Sequence, residues 1–275
     1  MKKLILIILL VLPVFAQSQG IKRGQVGMPG ITPTKSIGTG GIDQSDNVIP
    51  QTPFVTPYYQ WLYTTISDGG VASWVDGVNS LDLTQATESK QPTKSSTGIS
   101  FDGGDYIQNT SPANLGHSIS VDMVLKITDT NAVDVQEIFD YKQGAGATIT
   151  VLGLRLQTDA VTTFKKVGVG YFNGAAWTYK NYKTTDFPIN TYFRLTITAD
   201  SLGKQILYVN GSVVTPLSAA FTVGVNAAKV IMGCSADSET WFFTGGIKAY
   251  FMYDKVLSAE EIIQNGTAFT ERGYY

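Results

Sequence analysis

Apolar and polar residues alternate in short runs along most of this chain, and the dominant period is two. The clearest run places Ile119, Val121, Met123, Leu125 and Ile127 on one face and Ser118, Ser120, Asp122 and Lys126 on the other, interrupted only by Val124. That pattern predicts a strand with one face against a core. Phe193, Leu195 and Ile197 alternate with Arg194, Thr196 and Thr198; a turn at Asp200-Ser201-Leu202-Gly203 follows, and Leu207 and Val209 resume the pattern. Further strands are predicted at 98–102, 135–141, 148–156, 166–172, 177–182 and 229–233. Asn173-Gly174 and Asn210-Gly211 predict tight hairpins, since both central positions of a type I′ turn need positive φ. Near the C-terminus Ile247, Ala249, Phe251 and Tyr253 alternate with Lys248, Tyr250 and Met252, so a strand should end near Asp254. Ser258 and Glu261 then have the spacing of a capping box, which starts a short helix. Many strands at intervals of roughly 8–12 residues, with one short C-terminal helix, predict an all-β, two-sheet antiparallel sandwich.

The pattern fails at the N-terminus. Lys2 and Lys3, an apolar run from Leu4 to Phe15, and small residues at Ala16 and Ser18 predict an export signal over 1–19, and the apolar run falls short of the roughly 20 residues that cross a bilayer. Residues 20–57 are rich in Gly, Pro, Thr and Ser without periodicity and read as a flexible arm. The expected domain covers 58–269, followed by a tail at 270–275. The mature chain is expected outside the cell or on its surface, with no membrane span.

Composition removes several functions. A formal net charge of −2, with 15% charged residues, steers the chain toward neither nucleic acid nor anionic membranes. Cys234 is the only cysteine, so no intrachain disulfide can form, and its apolar setting predicts a buried thiol. With His117 as the only histidine, a zinc site built on several histidines is impossible. Asn109, Asn210 and Asn265 head glycosylation sequons.

Three stretches carry a family resemblance. They are Val71–Gln85, with Trp74 and Asp76 before a polar loop; Ile99–Ile107, with Phe101-Asp102-Gly103-Gly104-Asp105-Tyr106; and Leu207–Gly211 together with the terminal Gly245–Ile262 segment. In that order they resemble the laminin-G-like branch of the concanavalin A-like lectin/glucanase jelly rolls. The resemblance implies two sheets packed face to face, with a concave face or a rim of loops that meets sugars or protein partners. It does not imply catalysis.

Some members of that family bind calcium through rim loops, and the matching positions here are Asp76, Asn79, Asp102 and Asp105. Calcium takes six to eight oxygens, which these residues and nearby carbonyls could supply. The same residues, beside Gly77, Gly103 and Gly104, could instead make turns by bonding their own backbone. For a sugar, exposed aromatic faces are needed, and the candidates are Trp177 and Tyr179 on one strand face and Trp241 in a loop. Closing the ends of the sandwich is the alternative role for each of them, and Trp74 is assigned to packing. Glu137 and Asp140 resemble a glycosidase acid pair, but an odd spacing on a regular strand would send them to opposite faces, so no enzyme activity is expected. Three roles remain, in this order: an exported module that binds a glycan or surface polymer; an adhesion component of a cell-surface or virion assembly docked through the arm; and, last, a glycoside hydrolase of the same superfamily.

Overall fold

The alternating runs become strands of two antiparallel sheets. The computed structural model describes residues 51–275 apart from 114, 117, 129–134, 144–148, 159–163, 174–176, 203, 216–226 and 236–239, with backbone only at 142–143, 149–151, 157–158, 164–166, 171–173, 177–179, 184 and 227–228. The expected export signal, His117 and the expected arm up to residue 50 lie outside the described residues.

In chain order the first strands are β1 (Tyr59–Leu62), β2 (Gly69–Gly70), β3 (Ser73–Trp74), β4 (Leu83–Thr84), β5 (Thr93–Ser95) and β6 (Gly98–Asp102). The next are β7 (Ile107–Asn109), β8 (Ile119–Ile127), β9 (Gln136–Gln143), β10 (Ile149–Thr158), β11 (Phe164–Asn173) and β12 (Trp177–Lys183). The last are β13 (Phe193–Ala199), β14 (Gln205–Val209), β15 (Ser212–Val214), β16 (Ala227–Met232) and β17 (Thr244–Tyr253), followed by helix α1 (Ala259–Glu271). The first sheet runs β15-β14-β13-β8-β17-β6-β5-β2, with β1 also paired to β17; the second runs β12-β11-β10-β9-β16-β7-β4-β3. The sandwich is as the periodicity predicts, and the C-terminal helix as the capping box predicts.

Between the sheets lies one core. Ile119, Val121, Met123, Leu125 and Ile127 of β8 meet Leu152, Leu154 and Leu156 of β10 and Ile138, Phe139 and Tyr141 of β9 within it. Trp61 and Trp74 are fully buried, and each indole N–H donates to a backbone carbonyl, that of Leu81 and of Leu62 respectively. That satisfies the one polar group such a side chain carries into a core, so Trp74 is a packing residue.

The predicted phase of β17 needs correction. The strand slips register against β8 between Ile247 and Ala249, which makes Lys248 the extra residue of a bulge. Ile247, Tyr250 and Met252 therefore face the inter-sheet core, while Ala249, Phe251 and Tyr253 face the opposite way.

That second face is also buried. With Val124 it packs under α1, against Leu257, Ile262 and Phe269 and against Val55 and Phe54. The capping box forms as predicted: the Glu261 amide donates to the Ser258 hydroxyl, and the Ser258 amide donates to the Glu261 carboxylate at 2.9 Å. Covering the polar face of β8 requires its charges to be paired. The Arg194 guanidinium donates to both oxygens of Asp122, at 2.7 and 2.6 Å, and to the Ile262 carbonyl of α1. Thr196 and Asn265 also donate to Asp122, at 2.9 and 2.8 Å. Asn265 donates to the Tyr253 hydroxyl and accepts from the Val55 amide. All of these side chains are 3% exposed or less, so the network lies in a dry layer between sheet and helix.

The expected edges of the domain are corrected as well. Residues 51–57 and 270–275, read from sequence as arm and tail, pack with the sandwich: Phe54 meets Phe251 edge-on and Phe269 at a tilt, Val55 and Tyr274 are buried, and Arg272 donates to the Thr52 carbonyl. Asn210-Gly211 forms the expected turn, with φ of +49° and +82° and Val209 opposite Ser212. At the other predicted hairpin Phe172 pairs with Trp177, two positions beyond what a two-residue turn at Asn173-Gly174 would give.

Candidate functional site

Asp76 and Asn79 sit where the chain leaves β3 for β4. Both oxygens of Asp76 accept backbone amides: Oδ1 from Gln60 and Val78, at 2.8 and 3.1 Å, and Oδ2 from Asn79 and Leu81, at 2.9 and 3.1 Å. Asn79 donates its side-chain amide to the Tyr58 carbonyl. The carboxylate is 5% exposed and organises the loop by itself.

Asp102 and Asp105 form a second turn. Asp102 accepts the Gly104 amide at 2.9 Å, and Asp105 accepts the Asp102 amide at 3.0 Å. Gly103 supplies the positive φ of +97° that this turn needs. Among the described residues no group of three or more His, Cys, Asp or Glu side chains is arranged to hold a metal. Burial, with the Asp102 charge adding to it, pushes the Asp105 carboxyl up to about 6 even though the Asp102 N–H bond lowers it. A carboxyl with a higher pKa folded than unfolded binds more protons in the folded state, so its contribution to stability falls as pH rises from about 4 to about 6. Asp105→Asn keeps an acceptor for the Asp102 amide. It should gain stability over the parent between pH 4 and pH 7, as read by urea unfolding at both values; an equal difference at the two would contradict the assignment.

The outer face of the second sheet holds a group that the sequence reading set aside. β9 slips register against β10, with Phe139 opposite Leu154 and Glu137 opposite Arg155, so Ile138 is an extra, bulged residue. Antiparallel partners share a face. Leu152, Leu154 and Leu156 point into the core, so Gly153 and Arg155 lie outside, and with them their partners Asp140 and Glu137. The expectation that odd spacing separates these two acids is therefore wrong: the bulge returns them to one face. Both are fully buried, and Arg155 is 9% exposed.

The register continues across this face in two rows. One joins Glu137, Arg155, Gly168 and Asn181; the other joins Asp140, Gly153, Gly170 and Tyr179. Trp177, opposite Phe172, belongs to the next row. The side chains of Trp177 and Tyr179 lie outside the described residues. Gly153, Gly168 and Gly170 leave the middle of these rows without side chains, and all three are buried.

Trp241 stands at the rim of this face. The loop from Gly233 to Phe243 is tied to the bulge twice: the Gly233 amide donates to the Ile138 carbonyl, and the Glu137 amide donates to the Trp241 carbonyl at 2.7 Å. Trp241 has φ of +55° and is 36% exposed. A bulky residue in the left-handed region is strained, and such strain gathers at ligand-contacting positions. Cys234 is buried with Tyr106 and Ile231. Asn265 is inaccessible to glycosylation, whereas Asn210 is exposed at its turn.

A family model described as the concanavalin A-like lectin/glucanases superfamily matches residues 101–263. The match takes in β9, β10 and Trp241 and begins after the Trp74–Asp76 stretch. No curated protein matches the chain. Solved structures with the same fold include Trypanosoma rangeli sialidase, with TM-score 0.58 and 12% identity over 80% of this chain and 34% of that one. They also include the binding domains of botulinum neurotoxin serotypes G and D, with TM-scores of 0.56 and 0.53 and identities of 11% and 16%. Those alignments cover 79% and 77% of this chain and 52% of each toxin chain. The chain thus spans about a third of the sialidase and about half of the toxin domains. At these identities the likeness is one of fold.

Proposed function

Because the chain belongs to the concanavalin A-like lectin/glucanase superfamily, we propose that it is an exported, non-catalytic module that binds a glycan or surface polymer on the outer face of its second sheet. One observation carries the reading: the bulge at Ile138 and the strand register gather Glu137, Asp140, Arg155, Asn181 and three glycines on one face, with Trp241 at its rim. A sugar ring offers an apolar face to an aromatic and hydroxyls to amides and guanidinium groups, which Trp241, Asn181 and Arg155 supply; Glu137 and Asp140, without exposed surface, are not among its contacts. Asp76, Asn79, Asp102 and Asp105 are given the structural role of holding turns.

A hydrolase is the second reading, since the two acids share a face after all. In its favour, the β10 partners of the acids are two residues apart, roughly 7 Å along a strand and within the span of glycosidase carboxylate pairs. Against it, neither acid has any exposed surface from which to reach a glycosidic oxygen.

Screening the folded chain on a glycan array and titrating the best ligand into Trp241→Ala tests the proposal. An aromatic anchor of this kind contributes about 2 kcal/mol, so affinity should fall roughly thirtyfold with the melting temperature unchanged. Uniform blanks on the array, or unaltered affinity in the variant, would count against it. Release of reducing ends in the same incubations would favour the hydrolase.

A further inference from the structure

Helix α1 covers one part of the outer face of the first sheet, over Val124, Phe251 and Tyr253. Beyond it the same face carries Lys126 of β8 and Lys248, the bulged residue of β17, both half-buried. Their ammonium groups stand 5.3 and 4.3 Å from the centre of a single ring, that of Tyr192. The ring reaches this place across positions 98 and 246, where a Cβ would come within 2.4 Å of the Tyr192 hydroxyl oxygen. Only glycine fits at both. Lys248 also lies 6.0 Å from the ring of Tyr63, whose other cation, Lys94, is paired with Asp68.

Among the described residues neither Lys126 nor Lys248 makes an ion pair. Two surface lysines are normally free to splay apart into water at little cost. This pair is held together over one ring, where burial and then the charge of Lys126 push the Lys248 ammonium below its usual range. Contact with a ring face contributes about 0.5–1 kcal/mol and neutralises no charge. An unneutralised pair of cations, held in place and partly stripped of water, is a receptor for an anion.

We propose that Lys126 and Lys248 form a binding site for the carboxylate or sulfate group of an acidic glycan, the anion bridging the two ammonium groups at the edge of Tyr192. The overall charge of −2 supplies no broad basic field of the kind that holds nucleic acid or membranes, so the patch suits one anionic group rather than a charged surface. Exposed Ser100, in register with Gly246 and Lys126 across the sheet, offers a hydroxyl beside it for a neighbouring sugar oxygen. That the anion is carried on a sugar rests on the glycan-binding reading, but the site lies on the other sheet from Trp241 and fails or holds separately.

The test titrates the folded chain with polygalacturonate, dextran sulfate, neutral dextran, inorganic sulfate and phosphatidylserine vesicles. At least one charged polymer should bind and neutral dextran should not. Lys126→Gln with Lys248→Gln should weaken that binding at least tenfold and flatten its salt dependence. Lys183→Gln with Lys204→Gln, the same change in net charge on exposed residues elsewhere, should leave it within twofold, and Trp241→Ala should leave it intact. The proposal is overturned if neither charged polymer binds, if the Lys126/Lys248 variant binds like the parent while folded, or if inorganic sulfate binds as tightly as the polymer. Equal dependence of vesicle binding on the same two lysines would overturn it in favour of a membrane.

Discussion

Asp122→Asn should destabilise this domain by about 3–5 kcal/mol, the range found when one partner of a buried ion pair is removed. Around the Asp122 carboxylate the structure places three donors, Arg194, Thr196 and Asn265, in a layer that water does not reach. An asparagine has nearly the same shape, so packing is conserved and the test isolates charge. Its NH2 group, turned either way, meets a donor of Arg194 or Asn265, and the guanidinium is left buried without its counter-charge. Urea unfolding at neutral pH should show a lower midpoint with an unchanged slope. A loss under 1 kcal/mol would mean that the layer is wetter than its burial indicates. Domains of this kind are stable by only about 5–15 kcal/mol in total, so the variant approaches the limit of folding.

Asp76→Ala should cost about 3 kcal/mol through a different mechanism. Its carboxylate is the shared acceptor of four amides, from Gln60, Val78, Asn79 and Leu81. Each such bond contributes about 1 kcal/mol net, and water recovers part of this because Val78 and Asn79 are exposed. A loss of that size lowers the melting temperature by roughly 6–12 °C for a domain of this length. Asp76→Asn, which keeps one good acceptor, should fall about halfway between. Calcium and chelator separate this role from a metal role: with the amides as partners, the parent melts at the same temperature in both. A rise on adding calcium that disappears in Asp76→Ala would restore the metal reading.

The two predictions also mark how far the sequence could be read. The alternation in β8, the capping box at Ser258 and Glu261 and the Asn210-Gly211 turn are local signals, each written within a few residues, and each appears in the structure where expected. Val124 stood out as an apolar residue on the polar face of β8; in the structure it is part of the patch buried under α1. Asp122 carried no such mark. Its partners Arg194 and Asn265 are 72 and 143 residues away, and nothing near it in the chain announces either.

For the candidate site the sequence was less informative, for an identifiable reason. Period-two reasoning assumes an unbroken strand, and both of its failures here fall on bulges. At Ile138 the extra residue brings Glu137 and Asp140 together; at Lys248 it inverts the faces of β17 from Ala249 onward. A bulge is defined by two residues opposing one on a neighbouring strand, and β10 and β8 are the strands that define these two. Trp241 was found as a loop aromatic, whereas its left-handed backbone and its bond to the Glu137 amide belong to the folded chain.

Strand period, turn chemistry and the helix start depend on neighbours in sequence, and they were enough to specify an all-β sandwich closed by one capped helix. Which face each acid occupies, which charges are buried and which remain unneutralised depend on register between strands distant in the chain. Those properties arise only when the sheets pair and α1 packs down, because a single inserted residue reverses every side chain beyond it.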